Sequence, residues 1–363
     1  MNYRRATLLA EKNLVGTGTE VIEVVTKQPI SRIGLKWRVL KVESVMVGYP
    51  HLDIVRIELV DGSDVLYSTD GGQSQAICIY DRKAPTMNHG QHSVANSEYS
   101  SYGIDFGRYL YDTQLALDPA QFRNLQLKVT YDANNCDASA ASGNLEIFAE
   151  VFDEKVINPI GFLMTKEHHK RVPPAAGYWY VDLPLDFPYR KLFIQGYRIS
   201  KEPWDNVINA RLDEENEKRI PFDVQLFDYY MQNKGVWHNV EETCVGACIA
   251  GARHFFVTPT DFYTMPFMTP MGGGAQAMWT PNYTPGGDIA VTAAGGTQFG
   301  GVVRGWLPNH VFEFPFGDPQ DLADWYDVTR IGSLRLRLNA GAGGANGTVS
   351  AILQQLRYYG GGR

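Results

Sequence analysis

Short stretches in which apolar and polar residues alternate recur along the chain. In residues 125–129 (LQLKV) and 334–338 (LRLRL), every second side chain is apolar. Because successive side chains of a β-strand point to opposite faces, this period of two predicts strands with one buried and one solvated face. Runs rich in β-branched and aromatic residues, such as 54–59 and 76–80, are also predicted to be strands. The pattern as a whole predicts an all-β protein.

The same series of elements occurs in both halves of the chain. Residues 118–122 (DPAQF) and 318–322 (DPQDL) begin with Asp-Pro and lead through an alternating strand to a final strand, at 145–149 and 349–353. Aspartate caps the free amide groups of a helix's first turn, and proline fits the first helical position because it has no N–H to satisfy. Each copy is therefore predicted to contain a short helix. In the second copy, one helical face would consist of Leu322, Trp325, Tyr326 and Thr329.

The beginnings of the two copies match as well. Residues 33–35 follow Pro29 at the spacing by which residues 192–194 follow Pro188. Recurrence of starts, helices and strands in one order predicts a duplicated β-sandwich, with short helices and long loops. The predicted organisation is an N-terminal arm outside the first core (1–18), a first eight-stranded unit (19–155), a proline-containing connector (156–176), a second eight-stranded unit (177–358) and a C-terminal tail (359–363).

A long excursion rich in Gly, Pro, Thr and Met interrupts the second unit at about 258–305. Loops of this length are uncommon inside compact domains unless they have a function. A disordered linker would not carry so many aromatic residues, so we expect an ordered surface elaboration that packs on itself or on neighbouring subunits. The aromatic residues are Phe262, Tyr263, Phe267, Trp279, Tyr283 and Phe299.

Composition limits the class of function. The 363 residues suffice for about two domains, and a hydrophobic content of 44% suffices for two cores. The formal charge of −7 argues against nucleic-acid binding, which requires a concentrated basic surface. The four cysteines are expected to be reduced, and no window approaches 18 continuous apolar residues. No secretory leader is recognisable, so we expect synthesis in a cytoplasm.

Candidate metal and thiol sites are weak. His168 and His169 are adjacent rather than four apart on one helical face, so they do not match a zinc motif. Cys244 and Cys248 are separated by three residues and have no second pair. A thiolate or redox site remains an alternative there, but two small apolar side chains are favoured. No Gly-x-Ser-x-Gly elbow, P-loop or dinucleotide fingerprint occurs.

Paired carboxylates are the remaining candidates for chemistry. Glu214-Glu215 and Glu241-Glu242 could act as acid and base in a hydrolase, but the sequence does not place them across a cleft. Solvated turn charges are the favoured interpretation. We therefore assign no catalytic, cofactor-binding or metal-binding residue, and we expect no enzyme.

Two successive eight-stranded units, each with a short helix near its final strands, resemble the double jelly-roll major capsid proteins of the tectivirus, corticovirus and adenovirus-hexon lineage. The proline-containing connector and the long loops of the second unit add to this resemblance. It covers about 19–358 and rests on architecture and on paired segments such as 188–192 (PYRKL) and 334–338, rather than on a diagnostic motif. The length suits the smaller phage members better than hexon.

The resemblance implies a structural protein of the virion capsid. Three chains of two similar rolls would form a homotrimer with six similar blocks, a pseudo-hexameric tile of an icosahedral shell around the genome. Minor capsid or vertex proteins would be further partners, and the arm with Arg4, Arg5 and Lys12 would contact neighbours, an internal membrane or the genome. The excursion would project from the outward end of the second roll. An aromatic content of 12% fits large lateral interfaces, where Tyr and Trp are enriched.

One alternative belongs to a different class of function. A secreted double-jelly-roll glycan hydrolase, or a tandem carbohydrate-binding β-sandwich, would use exposed Trp and Tyr side chains to stack on sugars. Size in solution separates the two interpretations. A monomer with glycanase activity supports the alternative, whereas trimers or shells support the capsid protein.

Overall fold

The structure, a computed structural model, describes residues 1–40, 46–83, 88–92, 97–140, 142–247, 251–271, 278–279, 285–293 and 298–360. Side-chain burial alternates along many strands, most regularly in Leu125–Asp132, where every second residue is buried. Strands dominate, and the described residues also form two α-helices and a few short 3-10 turns. Within these ranges, no helix has the length and apolar character that a membrane crossing requires.

The first roll consists of two four-stranded sheets packed face to face. Its elements are β1 (Tyr3–Val15), β2 (Thr17–Glu23), β3 (Ile30–Leu40), β4 (Ile54–Asp61), β5 (Asp64–Thr69), α1 (Gly71–Arg82), β6 (Asn88–His92), β7 (Ser97–Asp105), β8 (Leu125–Asp132) and β9 (Ser142–Phe152). The sheet orders are β1-β9-β3-β7 and β2-β8-β4-β5, with β6 continuing the first sheet beyond β7. One apolar core fills the space between them, with Trp37, Leu59, Leu127 and Ile147 at its centre.

The second roll repeats this arrangement. Its elements are β10 (Gly161–Arg171), β11 (Tyr178–Asp182), β12 (Tyr189–Tyr197), β13 (Val207–Glu214), β14 (Arg219–Gln225), α2 (Leu226–Asn233), β21 (Val311–Pro315), β22 (Leu334–Ala340) and β23 (Thr348–Tyr358). The sheet orders are β10-β23-β12-β21 and β11-β22-β13-β14. A second core, which includes Leu192, Leu212 and Leu336, lies between them.

The two rolls correspond strand by strand. β1-β9-β3-β7 matches β10-β23-β12-β21, and β2-β8-β4-β5 matches β11-β22-β13-β14. Their irregularities also coincide, because the register shift after Thr7 in β1 matches the shift after Glu167 in β10, and that after Ile30 in β3 matches that after Tyr189 in β12. A bulge inserts one extra residue at a defined point of a strand. These shared bulges therefore align the two rolls residue by residue.

The excursion of the second roll is an ordered β-structure in its described parts. Its strands are β15 (Val240–Ala247), β16 (Gly251–Phe256), β17 (Met265–Met271), β18 (Met278–Trp279), β19 (Asp288–Ala293) and β20 (Gln298–Gly305). β15, β20 and β17 extend the first roll's sheet beyond β6, and β16-β19-β18 form a small separate sheet. The excursion therefore begins near Val240, earlier than the predicted 258, and the predicted aromatic residue Tyr283 lies outside the described ranges.

The sheets of the two rolls are continuous at two places. β5 runs parallel to β10, with Tyr67 beside Thr165 and Ser68 beside Lys166. β6 runs parallel to β15, with Cys244 beside Gly90. Main-chain hydrogen bonds therefore connect the rolls on both sides of the molecule.

The predicted N-terminal arm is wrong. Residues 3–15 form β1, which pairs with β9 and belongs to the first roll. Two register shifts break the alternation of β1, so its pattern did not indicate a strand. Its basic side chains form ion pairs on the outer surface, Arg4 with Asp153, Arg5 with Glu150 and Lys12 with Glu20.

The predicted connector is also largely wrong. Residues 161–171 form β10, which pairs with β23 of its own roll and with β5 of the first roll. The prolines that suggested a linker lie on either side of this strand. The predicted tail begins with Tyr359, whose hydroxyl group donates to the backbone oxygen of Ala116 at 2.8 Å and whose ring packs against Phe122 and Phe162. This contact attaches the end of the second roll to the first.

The helices were assigned to the wrong residues. Residues 76–80, predicted as a strand, lie in α1. The first Asp-Pro start gives a single 3-10 turn, Pro119–Gln121, capped by Asp118. In the second copy the 3-10 turn Leu322–Asp324 is capped by Asp321 rather than by the Asp-Pro start. It ends at Trp325, which is extended, so the predicted helical face from Leu322 to Thr329 does not form. A signal for α1 was present, since Asp70 and Gln73 form a capping box at its first turn.

Candidate functional site: the contact between the rolls and the surfaces left open

Helix α1 of the first roll lies on the outer face of the second roll. Its residues Ala76 and Ile77 pack against Phe193, Val311 and Ile352. The helix can lie there because it comes directly after β5 and β5 pairs with β10. The sheet β10-β23-β12-β21 is consequently covered on both faces, by its own core and by α1.

A buried charge cluster holds the C-terminal end of α1 in this contact. The carboxylate of Asp81 accepts from Arg190 Nη1 at 2.8 Å and from Lys191 Nζ at 2.5 Å. Lys191 Nζ also lies 2.5 Å from Glu313 Oε1, and Gln354 Nε2 donates to Asp81 Oδ2 at 3.0 Å. Burial alone would raise the pKa of Asp81, but the two neighbouring cations outweigh it and hold that pKa well below its usual value. Asp81 is therefore ionised at neutral pH, and its partners lie within the contact.

A cleft of about 350 Å³ lies beside this cluster. Its walls include Tyr80 and Trp237 as well as Asp81, Lys191 and Glu313. Lys191 forms an ion pair with each of the two carboxylates. Of these contacts, the Asp81–Lys191 pair joins the first roll to the second.

A second buried contact joins both rolls and the excursion. The ring of Tyr49 stacks on His51 and meets the edge of His310, while its hydroxyl group donates to the backbone oxygen of Gly286 at 2.5 Å. Burial lowers the pKa of His51 to about 3 and that of His310 to about 4. Both imidazoles are therefore neutral at neutral pH, and the contact is an aromatic one.

Of the predicted thiol and histidine candidates, the described residues include Cys244, His168 and His169. Cys244 is fully buried in a small core of the excursion, where burial raises the pKa of its thiol, and Cys248 lies outside the described residues. His168 Nε2 lies 2.9 Å from the backbone oxygen of Asp182, and burial and Arg171 lower the pKa of His169. Within the described residues, no group of three or more His, Cys, Asp or Glu side chains could hold a metal ion.

The predicted carboxylate pairs have structural partners. Glu214 accepts from Tyr326 at 2.6 Å, and Glu215 pairs with Lys218 at 3.1 Å. Glu241 and Glu242 are neighbours on β15, so their side chains point to opposite faces of the sheet. They are therefore not arranged as an acid and a base around one substrate.

Glu242 is nevertheless unusual because it is buried. Its carboxylate accepts from the backbone N–H of Thr258 at 2.7 Å, and burial raises its pKa to about 7. Glu241, by contrast, is 41% exposed and pairs with Arg304. The two neighbours therefore provide a matched comparison of a buried and a solvated carboxyl group.

The described part of the excursion has an exposed apolar surface. Its residues Phe262, Tyr263, Met265 and Phe267 are between 44% and 58% exposed. β17, which contributes two of them, is the end strand of its sheet. We call these four residues the excursion patch.

Sequence reasoning missed the charge cluster. Arg190 and Lys191 stand directly before the apolar run 192–194, and two adjacent cations in a strand with no solvated face indicate a buried partner. The partner itself could not be identified, because Asp81 is 109 residues before Arg190.

We expect Asp81→Asn to destabilise the protein by about 3–5 kcal/mol, because Arg190 and Lys191 would keep their burial and lose a shared anion. The free energy of unfolding in urea measures this. The matched control is Asp182→Asn, which breaks an exposed pair with Arg335 and should change stability by about 1 kcal/mol or less. Equal losses in the two variants would contradict the role of the cluster.

We expect Glu242→Gln to gain stability relative to the wild type as the pH rises from 4.5 to 8. Between its ordinary value of 4.5 and the folded value of about 7, folded Glu242 holds a proton that the unfolded chain has released, so its contribution to stability falls with rising pH. Glutamine keeps the acceptor for Thr258 and has no such penalty. The relative gain should be on the order of 1–3 kcal/mol.

Thermal unfolding across this pH range tests the expectation, with Glu241→Gln as the control. The difference between that exposed variant and the wild type should change little with pH. A Glu242→Gln difference that is constant from pH 4.5 to 8 would show that Glu242 ionises normally in the fold.

No family model and no curated protein matches the chain. Solved structures do match along almost its entire length. The MCP of STIV (Sulfolobus Turreted Icosahedral Virus) is 11% identical, with 98% of each chain covered and a TM-score of 0.60. The major capsid protein P2 from bacteriophage PM2 is 11% identical, with 99% of this chain and 98% of that chain covered and a TM-score of 0.55. The PBCV-1 virus capsid is 10% identical, with 98% and 94% covered and a TM-score of 0.56.

These matches span both rolls, the junction between them and the excursion. They confirm the predicted fold class, in which two eight-stranded sandwiches follow one another with short helices and long loops. The chain therefore has the all-β double jelly-roll fold, the fold of these viral major capsid proteins.

Proposed function

We propose that this protein is a viral major capsid protein that forms pseudo-hexameric homotrimers, and that these tile an icosahedral shell around a genome. The observation that carries the proposal is the match of both rolls, in order and over 98% or more of the chain, to three viral capsid proteins. The internal repeat adds support, because three copies of two similar rolls supply six similar blocks. The corresponding location is the virion capsid, after synthesis in a host cytoplasm.

The excursion patch supports contact between copies. Four large apolar side chains on one segment form the kind of surface that soluble proteins usually cover with a partner. Pro266 and Pro270 remove two amide donors from β17, which disfavours addition of another strand at that edge. Contact would therefore be made by the side chains of the patch, and the occupant that the proposal names is a second copy of this chain.

The shell would require further partners. Minor capsid or vertex proteins would fill positions that trimers cannot. The expected contact of an N-terminal arm with a membrane or genome loses its basis, since Arg4, Arg5 and Lys12 are ion-paired on β1. The outward position of the excursion stays a prediction, which limited proteolysis of intact particles would test.

The glycan-binding alternative has less support. The cleft beside Asp81 is small, and its charged side chains hold the rolls together. A stable monomer that cleaves or binds glycans would nevertheless favour that alternative over the capsid role.

We expect the purified protein to have a native mass of about three times the 40.6 kDa of the chain. Native mass spectrometry at neutral pH measures this directly. A monomer that persists at high protein concentration would contradict the homotrimer.

We expect the double variant Met265→Ser, Phe267→Ser to lower the fraction of trimer, because it removes apolar area that the proposal buries between copies. Analytical ultracentrifugation over a dilution series measures the effect. Val156→Ser removes a single apolar side chain that is 95% exposed and outside the patch, and it should leave the trimer unchanged. An unchanged trimer in both variants would remove the excursion patch from the interface.

A further inference from the structure

Within the chain, the first roll joins the second through β5, the end strand of one sheet, and β10, the first strand of the next. In the strand-by-strand correspondence, β14 takes the place of β5 and β1 takes the place of β10. Both β14 and β1 are end strands of their sheets. The β5–β10 contact is thus formed within the chain, whereas the corresponding strands β14 and β1 each have a free edge in the described sheets.

Residues of β5 are more buried than the corresponding residues of β14. Counted back from the helix after each strand, Tyr67 and Ser68 correspond to Phe222 and Asp223. Beside β10, Tyr67 and Ser68 are only 3% and 4% exposed, whereas the Asp223 side chain is 43% exposed. β14 thus occupies in the second roll the position that β5 occupies in the first, but no neighbouring strand of the described residues covers its outer edge.

The two helices show the same difference. In α1, Gln73, Ala76 and Ile77 are buried against the second roll. Counted from the first helical residue, their counterparts in α2 are Asp228, Met231 and Gln232, and none of the three is buried. α2 therefore presents to solvent the face that α1 buries.

We propose that the second roll of one copy joins the first roll of another as the two rolls join within the chain. β14 then lies parallel to β1 of the next copy, and α2 lies on the outer face of its β3 and β9. This inference rests on the proposed function, whose interface it identifies. On the outer face of β3 and β9, Gly34 and Phe148 correspond to Phe193 and Ile352 of the second roll. The Phe148 ring lies over Gly34. In the proposed junction this ring is the apolar contact for Met231 of α2.

Charge complementarity supports this junction. Within the chain, Arg357 of β23 binds Asp64 of β5 through its two terminal guanidinium nitrogen atoms, at 2.9 and 2.5 Å. The residue that corresponds to Arg357 is Asp153, directly after β9, and the residue that corresponds to Asp64 is Arg219 on β14. In the contact between copies, the basic residue thus lies on the strand that corresponds to β5 and the acidic residue after the strand that corresponds to β23, so the two charges are still opposite. The Arg219 side chain is 66% exposed. The pair between copies is therefore attractive.

A second contact is related in the same way. Gln73 of α1 donates to Gln195 of β12 at 3.0 Å within the chain. The counterparts are Asp228 on α2 and Lys36 on β3, so a neutral hydrogen bond becomes an ion pair between copies. Lys36 already pairs with Glu146 at 2.5 Å. Arg219 and Asp153 also have partners in their own chain, Glu214 at 3.1 Å and Arg4 at 3.2 Å. These two contacts are longer than that of Lys36, so the Arg219–Asp153 contact is the sharper test.

The test exchanges the charges of that contact. Arg219→Asp alone and Asp153→Arg alone should each weaken the trimer about tenfold or more in dissociation constant, because each places like charges together. The double variant restores an Asp–Arg pair with the polarity of Asp64–Arg357 and should regain most of the affinity. Arg330→Asp, at a side chain that is 86% exposed and outside the junction, is the control for a change of net charge. Thermal unfolding of each variant confirms that its rolls are folded.

The outcomes separate this inference from the proposed function. A monomeric wild type overturns the trimer itself. A trimeric wild type with unaffected single variants, or with a double variant no tighter than the singles, overturns the junction and leaves the trimer intact.

A cysteine pair gives a readout that does not depend on affinity. Within the chain, β5 and β10 pair at Tyr67–Thr165 and Ser68–Lys166. The corresponding pairs between copies are Phe222–Arg5 and Asp223–Ala6. After oxidation, the double variant Ala6→Cys, Asp223→Cys should therefore form covalent multiples of the 40.6 kDa chain. Either cysteine alone should not. A doubly substituted trimer that stays uncross-linked under oxidation would contradict the predicted strand pairing.

Discussion

The second roll contains a sheet that must be covered on both faces, and much of the molecule is arranged around that requirement. In β12, the consecutive residues Leu192, Phe193 and Ile194 are all fully buried, although a strand turns successive side chains to opposite sides. The inner side has its own core. The outer side depends on α1, and the cations beside it depend on Asp81, so the second roll cannot reach its native burial without the first.

The sequence predicted the duplication because the half-buried strands keep a strict alternation, as in 125–129 and 334–338. It failed where a segment is covered on all sides. The run 76–80 is apolar enough for a strand, and only the Asp70–Gln73 capping box distinguished it as a helix. β1 was missed because bulges interrupt its period, and β10 because prolines on either side suggested a linker. The charge cluster depends on contacts across more than a hundred residues, which local pattern does not encode.

The two rolls agree in their sheets and differ in the segments that come after their helices. Among the described residues, the first roll forms β6 between α1 and β7, whereas the second roll forms β15 to β20 between α2 and β21. Half of those added strands extend the sheet of the first roll rather than that of the second. A rotation of one roll against the other would break main-chain hydrogen bonds at both the β5–β10 and β6–β15 contacts. The angle between the two blocks is consequently a fixed property of the chain, and curvature of an assembly would have to arise between molecules.

The pairing of β10 with β23 also has a consequence for synthesis. The first roll is complete once Phe152 has been made, but β23 ends 187 residues after β10 (358 minus 171). At about 5–20 residues per second, the ribosome needs roughly 10–40 s to supply that partner. Throughout this interval an eleven-residue strand, already fixed to a folded first roll, presents an unpaired edge to other nascent chains. Translation speed across the second roll thus bears directly on how much of the protein escapes aggregation.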